Sequence, residues 1–339
     1  MRTECCLSEV ARRLTQCIAA ILLCAGAVSA ASAQPIQLRY GQAFSAQRSI
    51  FSLPIFVAER QGFFAREGLD FHMTPVPHGG EKLIEALHDG TADITHVATA
   101  FLIQAAMKGS DAVAISTEFN NPIYSLIAKA EIKSYADLKG KLIGVAAETG
   151  SITISIRKLL AMNGIRREDF TARFVDGTPD RLVCLTAGDC DAVPLGQPHD
   201  FVAIRRGFNL LGRSVEAVPE FVYTVTAARR SWAAKNKEAV TRYVRAMGAA
   251  FAFIHEPKNR DIVLRTIVDT TGFAAVNAQM TLELFAEPGR KVMPRRGEID
   301  GKGMATAIAF LGEAGILKAP LPPVERFVDL TYLKAAGLQ

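Results

Sequence analysis

The sequence predicts an α/β protein built as two lobes that face each other across a cleft. Three observations carry the prediction. A segment of the chain recurs at a nearly fixed offset. Each copy alternates strand and helix. No Gly/Ser- or Pro-rich linker separates the copies.

The repeat emerges when HGGEKLIEALHDGTADITHVAT, from His78, is set against DGTPDRLVCLTAGDCDAVPLGQ, from Asp176. Gly79 falls on Gly177, Leu87 on Leu185, Gly90 on Gly188 and Asp93 on Asp191, all at an offset of 98. Upstream, FAREGL and LAMNGI bring Gly68 onto Gly164 at an offset of 96. In each copy a helix stops at Gly68 or Gly164, because glycine takes the positive φ of a C-terminal cap without penalty. A strand follows, LDFHMTPV or FTARFV. A glycine turn then opens a second helix, EKLIEALHDG or PDRLVCLTAG, and a short strand, ADITHV or CDAVPL, leads into a further helix. This alternation predicts a parallel-type sheet with helices on both faces, and ligands of such sheets sit beyond the carboxyl ends of the strands.

Two β-rich runs connect the copies, NPIYSLIAK from Asn121 and EFVYTVTA from Glu220. The chain is expected to cross into the second lobe near Asn121 and to return near Tyr223, which makes a two-strand hinge. Lobe one is then 34–122 and 224–339, and lobe two 123–223. The long helical patterns after Ala227 have no third copy and are expected to pack on lobe one.

Residues 1–33 read as an export signal: Arg12 and Arg13, an apolar run from Ile18 to Val28, then Ala31-Ser32-Ala33 as a cleavage site. The run is shorter than the roughly 20 residues of a membrane span. A periplasmic chain starting near Gln34 is expected. The whole chain carries +5; three arginines against two glutamates in the leader contribute +1, leaving +4. These charges are scattered, which argues against nucleic acid as a partner. Of six cysteines, Cys184 and Cys190 survive the leader's removal. They read either as a disulfide, which an oxidising compartment permits, or as two buried thiols, one on a helix and one on the next strand. Their spacing fits no metal motif, and neither metal nor cofactor is expected.

The ordered set LPIFVAERQGFFAREGLDF, HGGEKLIEALHDGTADIT, IKSYADLKGKLIGVAAETGS, LLAMNGI and CLTAGDCDAVPLGQPHD resembles the periplasmic substrate-binding proteins of the nitrate/sulfonate/taurine type, which include the NMT1/THI5-like proteins. The resemblance covers most of the mature chain. It implies a two-lobed type II periplasmic-binding fold that closes on a small molecule and delivers it to an ABC permease with its cytoplasmic ATPase. A monomer is expected.

Site candidates come from the repeat and the turns. IGVAAETGSIT runs from a strand through Thr149, Gly150 and Ser151 into a helix, whose first backbone N–H groups lack internal partners and carry a partial positive charge. No Gly-Lys pair follows, so a nucleotide phosphate loop is not the reading. The hydroxyls of Ser151 and Thr153 are expected to meet an anion, with Ser151 also able to cap the helix. His78-Gly79-Gly80 and Asp176-Gly177-Thr178 are paired turns that let backbone approach a ligand. Thr99 and Gln197 are equivalent, and His199 follows beside Pro198. His96, alone in its strand, reads as a structural histidine. The first loop brings Phe44, Arg48, Ser49 and Phe51, with Arg48 its one charge and able to hold a carboxylate or sulfonate in a bidentate pair. Asn120 stands beside Phe119 at the first crossing. Loop phenylalanines beside polar donors favour an organic anion over bare nitrate.

Two other functions remain open on the same fold. One is an enzyme, pyrimidine-synthase-like or desulfinase-like; the other is a ligand-sensing partner of a membrane receptor. A thiol nucleophile needs an electropositive, partly exposed setting, and nothing in the sequence around Cys184 or Cys190 supplies one.

Overall fold

The strand–helix alternation resolves into two five-stranded sheets. The computed structural model describes residues 34–339 apart from 219, 287, 288 and 290; the expected export signal lies outside the described residues. In chain order, the first sheet receives β1 (Ile36–Ala43), β2 (Leu69–Val76), β3 (Ile94–Ala98) and β4 (Ala112–Asn120). Between them run α1 (Leu53–Arg60), α2 (Phe63–Arg66), α3 (Glu81–His88) and α4 (Thr99–Met107). The second sheet receives β5 (Ser125–Ala128), β6 (Leu142–Val145), β7 (Thr171–Phe174), β8 (Ala192–Leu195) and β9 (Asn209–Arg213), with α5 (Ser151–Met162), α6 (Thr178–Thr186) and α7 (His199–Arg205). The chain then returns to the first sheet as β10 (Val222–Arg229). It ends in α8 (Arg230–Lys235), α9 (Lys237–His255), α10 (Arg260–Thr271), α11 (Ala275–Ala286), α12 (Gly301–Glu313) and α13 (Thr331–Ala335).

The strand orders are β2-β1-β3-β10-β4 and β7-β6-β8-β5-β9. Adding five to each strand of the first sheet gives the second, with β5 standing where β10 stands. The sequence repeat is therefore a repeat of topology. The expected parallel-type sheet needs correction, because β10 runs antiparallel to β3 and β4, and β5 runs antiparallel to β8 and β9. In each sheet the antiparallel strand adjoins a crossing between the lobes, so it enters from the opposite direction to the strands built by local βαβ units.

The glycine caps fall where the repeat puts them. Gly68 and Gly164 have φ of 64° and 78°, and Gly90 and Gly188 have 78° and 85°. The C-terminal helices pack on the first lobe: Tyr243, Met247 and Phe251 of α9 and Leu311 of α12 share one core with Leu38, Ile94 and Val97. The second lobe has a smaller core on each face of its sheet, Ile156 and Leu160 on Ile143, and Leu185 and Ala203 on Val193. No described helix is long and apolar enough to cross a membrane.

The structure joins Cys184 to Cys190 in a disulfide, with Cα atoms 5.3 Å apart. Cys184 lies in α6, but Cys190 lies in the turn before β8 rather than on the strand itself. The bridge ties the end of α6 to the sheet beside Gly144, where an added Cβ would lie 2.8 Å from the Cys190 sulfur.

Candidate functional site

A cavity of about 710 Å³ opens between the lobes. Its wall is drawn from the ends of the parallel strands: Ala43 closing β1, His78 after β2, Ala98 closing β3, Ala146 after β6, Val175 after β7 and Gly196 after β8. Six strand ends converge on one space, which is the carboxyl-end geometry that the alternation predicts.

The floor of the cavity is aromatic. Phe51 stands edge-on to Phe119 at 5.0 Å and to Tyr223 at 5.9 Å, and lies nearly parallel to Tyr124, 17° between planes at 6.4 Å. Phe101, Phe174 and Phe273 add to the apolar lining. Tyr124 and Tyr223 belong to the two crossings, and burial raises the pKa of both hydroxyls, Tyr223 the more strongly.

One charge in this wall is unusual. Arg181, in α6, is 2% exposed. Its Nε donates to the carbonyl of Pro194 at 2.8 Å, Nη1 to the carbonyl of Val175 at 3.0 Å and Nη2 to the hydroxyl of Thr178 at 3.1 Å. All three acceptors are neutral, and among the described residues no carboxylate lies within ion-pair distance. A guanidinium carries five N–H groups, so two remain. Burial pulls its pKa down, opposed by Tyr124, Tyr223, Asp176 and Asp180. A buried cation without an ion-pair partner is costly, and this one borders the cavity.

Ten of the sixteen ligand-binding residues expected from sequence line the cavity: Arg48, Ser49, Phe51, His78, Gly79, Gly80, Thr149, Asp176, Gln197 and His199. Their states differ. Arg48 is exposed at the mouth. The Ser49 hydroxyl is committed to its own turn, donating to the Ala46 carbonyl at 2.6 Å. Gly80, at φ 63°, is required as glycine because a Cβ would meet the Phe101 ring at 2.9 Å. Asp176 offsets part of the Arg181 charge. Gln197 donates to Asp200 at 2.9 Å, and its Oε1 has no partner among the described residues. His199 packs edge-on against Phe273 at 5.7 Å; burial first, then Arg181, lowers its pKa.

Six expected residues are not in the wall. Phe44 is 71% exposed and turns outward. Thr99, Asn120, Gly150, Ser151 and Thr153 lie outside the lining. The helix cap is also corrected: Gly150 is the N-cap of α5, Ser151 is the first helical residue, and no side chain caps the end. The hydroxyls of Ser151 and Thr153 are buried and find no partner among the described residues. The repeat equivalence of Thr99 and Gln197 is displaced as well, since Thr99 opens α4 whereas Gln197 precedes α7 by two residues.

Sequence reasoning missed Arg181, Tyr124, Tyr223 and Thr224, and set His96 aside. A signal for Arg181 was present, because the offset of 98 places it on Leu83, and both line the cavity. An apolar inward position in one copy is a buried cation in the other. Tyr124 and Tyr223 sat in the β-rich runs, legible as crossings but not as floor. Among the described residues no group of three or more His, Cys, Asp or Glu is placed to hold a metal ion.

The lobes touch at both sides of the mouth. Gln104 of α4 donates to the Thr149 carbonyl at 3.2 Å, and Lys158 of α5 pairs with Glu313 of α12 at 2.8 Å. On the other side Arg205 of α7 donates to Asn277 of α11 at 2.7 Å.

The alkanesulfonate-binding protein SsuA of Xanthomonas axonopodis pv. citri, solved bound to MOPS, superposes with a TM-score of 0.68, covering 88% of this chain and 100% of that one at 18% identity. A Brucella abortus chain named as a candidate binding protein is 27% identical over 292 residues, 80% of this chain and 85% of that one. The 4-amino-5-hydroxymethyl-2-methylpyrimidine phosphate synthase of Uromyces fabae is 30% identical over 125 residues, but the match spans only 36% of each chain. This chain therefore covers about a third of the length of the synthases that it matches. Residues 51–259, more than half of the chain, match the profile of the NMT1/THI5 like family, and the chain belongs to that family.

Proposed function

We propose that this protein is the periplasmic solute-binding component of an ABC importer, and that it captures a small organic anion, a carboxylate or sulfonate with an apolar or aromatic body, between its lobes. One observation carries the reading: the buried guanidinium of Arg181, with neutral acceptors only and two N–H groups left, borders an aromatic-floored cavity. An anion supplies the ion-pair partner that Arg181 lacks among the described residues, and a carboxylate or sulfonate has the oxygens to accept from its two remaining N–H groups. The MOPS-bound sulfonate-binding neighbour supports an anionic solute. The lobes, 34–122 with 224–339 and 123–223, then close about the two crossings, and the contacts at the mouth hold the closed form. The leader takes the chain to the periplasm, where as a monomer it meets a membrane permease driven by a cytoplasmic ATPase.

The synthase match favours a second reading, an enzyme on this fold. Against it, the match is short, and the two cysteines outside the leader are joined to each other, which leaves no free thiol among the described residues.

The test is a thermal-shift screen of the ligand-free protein against carboxylates, alkanesulfonates and MOPS, since a ligand that binds only the folded state raises Tm. A shift with an anion, lost in Arg181→Gln, is expected. No shift with any anion, or pyrimidine formation by the purified protein, overturns the reading.

A further inference from the structure

Glu118, in β4, is 1% exposed and has no lysine or arginine within ion-pair distance among the described residues. Its Oε1 accepts from the hydroxyls of Tyr40 at 2.9 Å and Thr226 at 2.6 Å, and Tyr243 stands behind Thr226 at 3.1 Å. Its Oε2 meets Nδ1 of His96. A carboxylate this deep is costly unless it is paired, and its one partner able to carry positive charge is His96. That histidine is itself 7% exposed and lines the cavity.

The pairing fixes the tautomer. With Glu118 as the acceptor the proton of this bond comes from Nδ1, and Nε2 is the nitrogen left for the cavity. His96 lies 6.4 Å from Phe51, and Phe51 in turn faces Tyr124 and Tyr223, which line the same cavity as Arg181. From lobe one to lobe two the cavity thus presents an imidazole edge, an aromatic floor and a guanidinium.

We propose that His96 is a second polar contact of the cavity, held by Glu118 as its positioning residue, and that the captured solute is a hydroxyl-bearing aromatic acid. The acid group meets Arg181, the ring lies on the floor, and the hydroxyl meets Nε2. A hydroxyl both donates and accepts, so it suits Nε2 in either protonation state. This rests on the anion-capture reading above and narrows its ligand class.

The experiment uses the mature chain and calorimetric titration with benzoate, 3-hydroxybenzoate, 4-hydroxybenzoate and MOPS. At least one hydroxybenzoate is expected to bind about tenfold more tightly than benzoate, the increment of one well-made hydrogen bond. His96→Phe collapses that ratio towards one. Glu118→Gln lowers it part of the way, and the double variant falls no further than His96→Phe alone. Should the variants not fold, nitrogen-15 NMR of the unaltered protein decides: Nδ1 protonated, and Nε2 shifting on addition of the hydroxybenzoate. Equal affinity for benzoate and both hydroxybenzoates, a ratio surviving His96→Phe, or an unmoved Nε2 overturns the proposal. Binding of MOPS but of no aromatic acid overturns it and leaves anion capture standing, whereas binding of no anion sinks both.

Discussion

The hydroxyls of Tyr124 and Tyr223 meet 3.2 Å apart, one from each of the two segments that cross between the lobes. Other bonds lace the same crossings: Asn121 donates its backbone N–H to the carbonyl of Phe221 at 3.0 Å, and Tyr124 and Ser214 exchange bonds at 2.9 Å. Removing one hydroxyl strands the other in a buried place, which costs about 1–3 kcal/mol, whereas removing both leaves nothing unpaired. Tyr124→Phe and Tyr223→Phe are each expected to lower the urea midpoint of the ligand-free protein. The double variant should lose clearly less than the two single losses added together, and simple additivity would show that the hydroxyls do not act as a pair.

Arg181 should behave differently under conservative exchange. Lysine keeps the charge but not the planar fork. Charge-assisted bonds contribute about 1.5–3 kcal/mol each, so Arg181→Lys should weaken the anion found in the thermal-shift screen by roughly ten- to a hundredfold. Titration calorimetry reads this directly; affinity within twofold of the unaltered protein would move the anion away from Arg181.

Ser151 and Thr153 change their meaning between sequence and structure. From the sequence, removing both hydroxyls should weaken ligand binding. Both hydroxyls are in fact buried, with no partner among the described residues, and outside the cavity wall. Removing an unpaired buried hydroxyl gives up no hydrogen bond and relieves a desolvation cost. Ser151→Ala with Thr153→Val is expected to leave the denaturation midpoint unchanged or raised, and affinity within about twofold. A large affinity loss would restore the helix terminus as a ligand contact.

That difference in placement shows what the sequence could carry. Glycine spacing encodes backbone geometry, so the caps at Gly68, Gly90, Gly164 and Gly188 were legible and brought the lobes with them. The direction of β5 and β10 was not, because it depends on which lobe the chain arrives from. Turns at strand ends were legible as cavity wall, since topology alone points them there, and His78, Gly79, Gly80, Thr149 and Asp176 followed. Whether a hydroxyl on the first turn of α5 faces the cavity or the lobe interior is a matter of helix rotation, set by packing on Ile143 and its neighbours. Arg181 was half-legible: the repeat marks it as an inward position, but only the fold shows that no carboxylate among the described residues lies within ion-pair distance of it.

His199 gives the protein a pH dependence of predictable sign. Burial and Arg181 hold its folded pKa below the ordinary 6.5, so the unfolded chain binds the proton more readily. Stability from this group is full above pH 6.5 and falls as pH drops from 6.5 through the folded value. Its neighbour Asp200, raised by burial, works in the opposite sense from 3.8 upward. Comparing the unaltered protein with His199→Gln separates the two. Urea unfolding at pH 7.5 and at progressively lower pH should show the unaltered protein losing more than the variant, and parallel losses would mean that the imidazole is protonated in the folded state.

The Cys184–Cys190 bridge braces α6, the helix that carries Arg181. It closes a short loop, for which the chain-entropy account gives about 2 kcal/mol of stabilisation. Position matters beyond that figure, because Cys184 is three residues from Arg181 in α6, on the segment whose far end is tied to the sheet. Cys184→Ala with Cys190→Ala should lower the denaturation midpoint by an amount near the entropic figure. It should also weaken anion binding, since α6 can then shift and the bonds from Arg181 to Pro194 and Val175 no longer fix its fork. Reduction of the unaltered protein should reproduce both effects. A variant that loses stability but keeps its affinity would show that those two carbonyls alone hold the guanidinium in place.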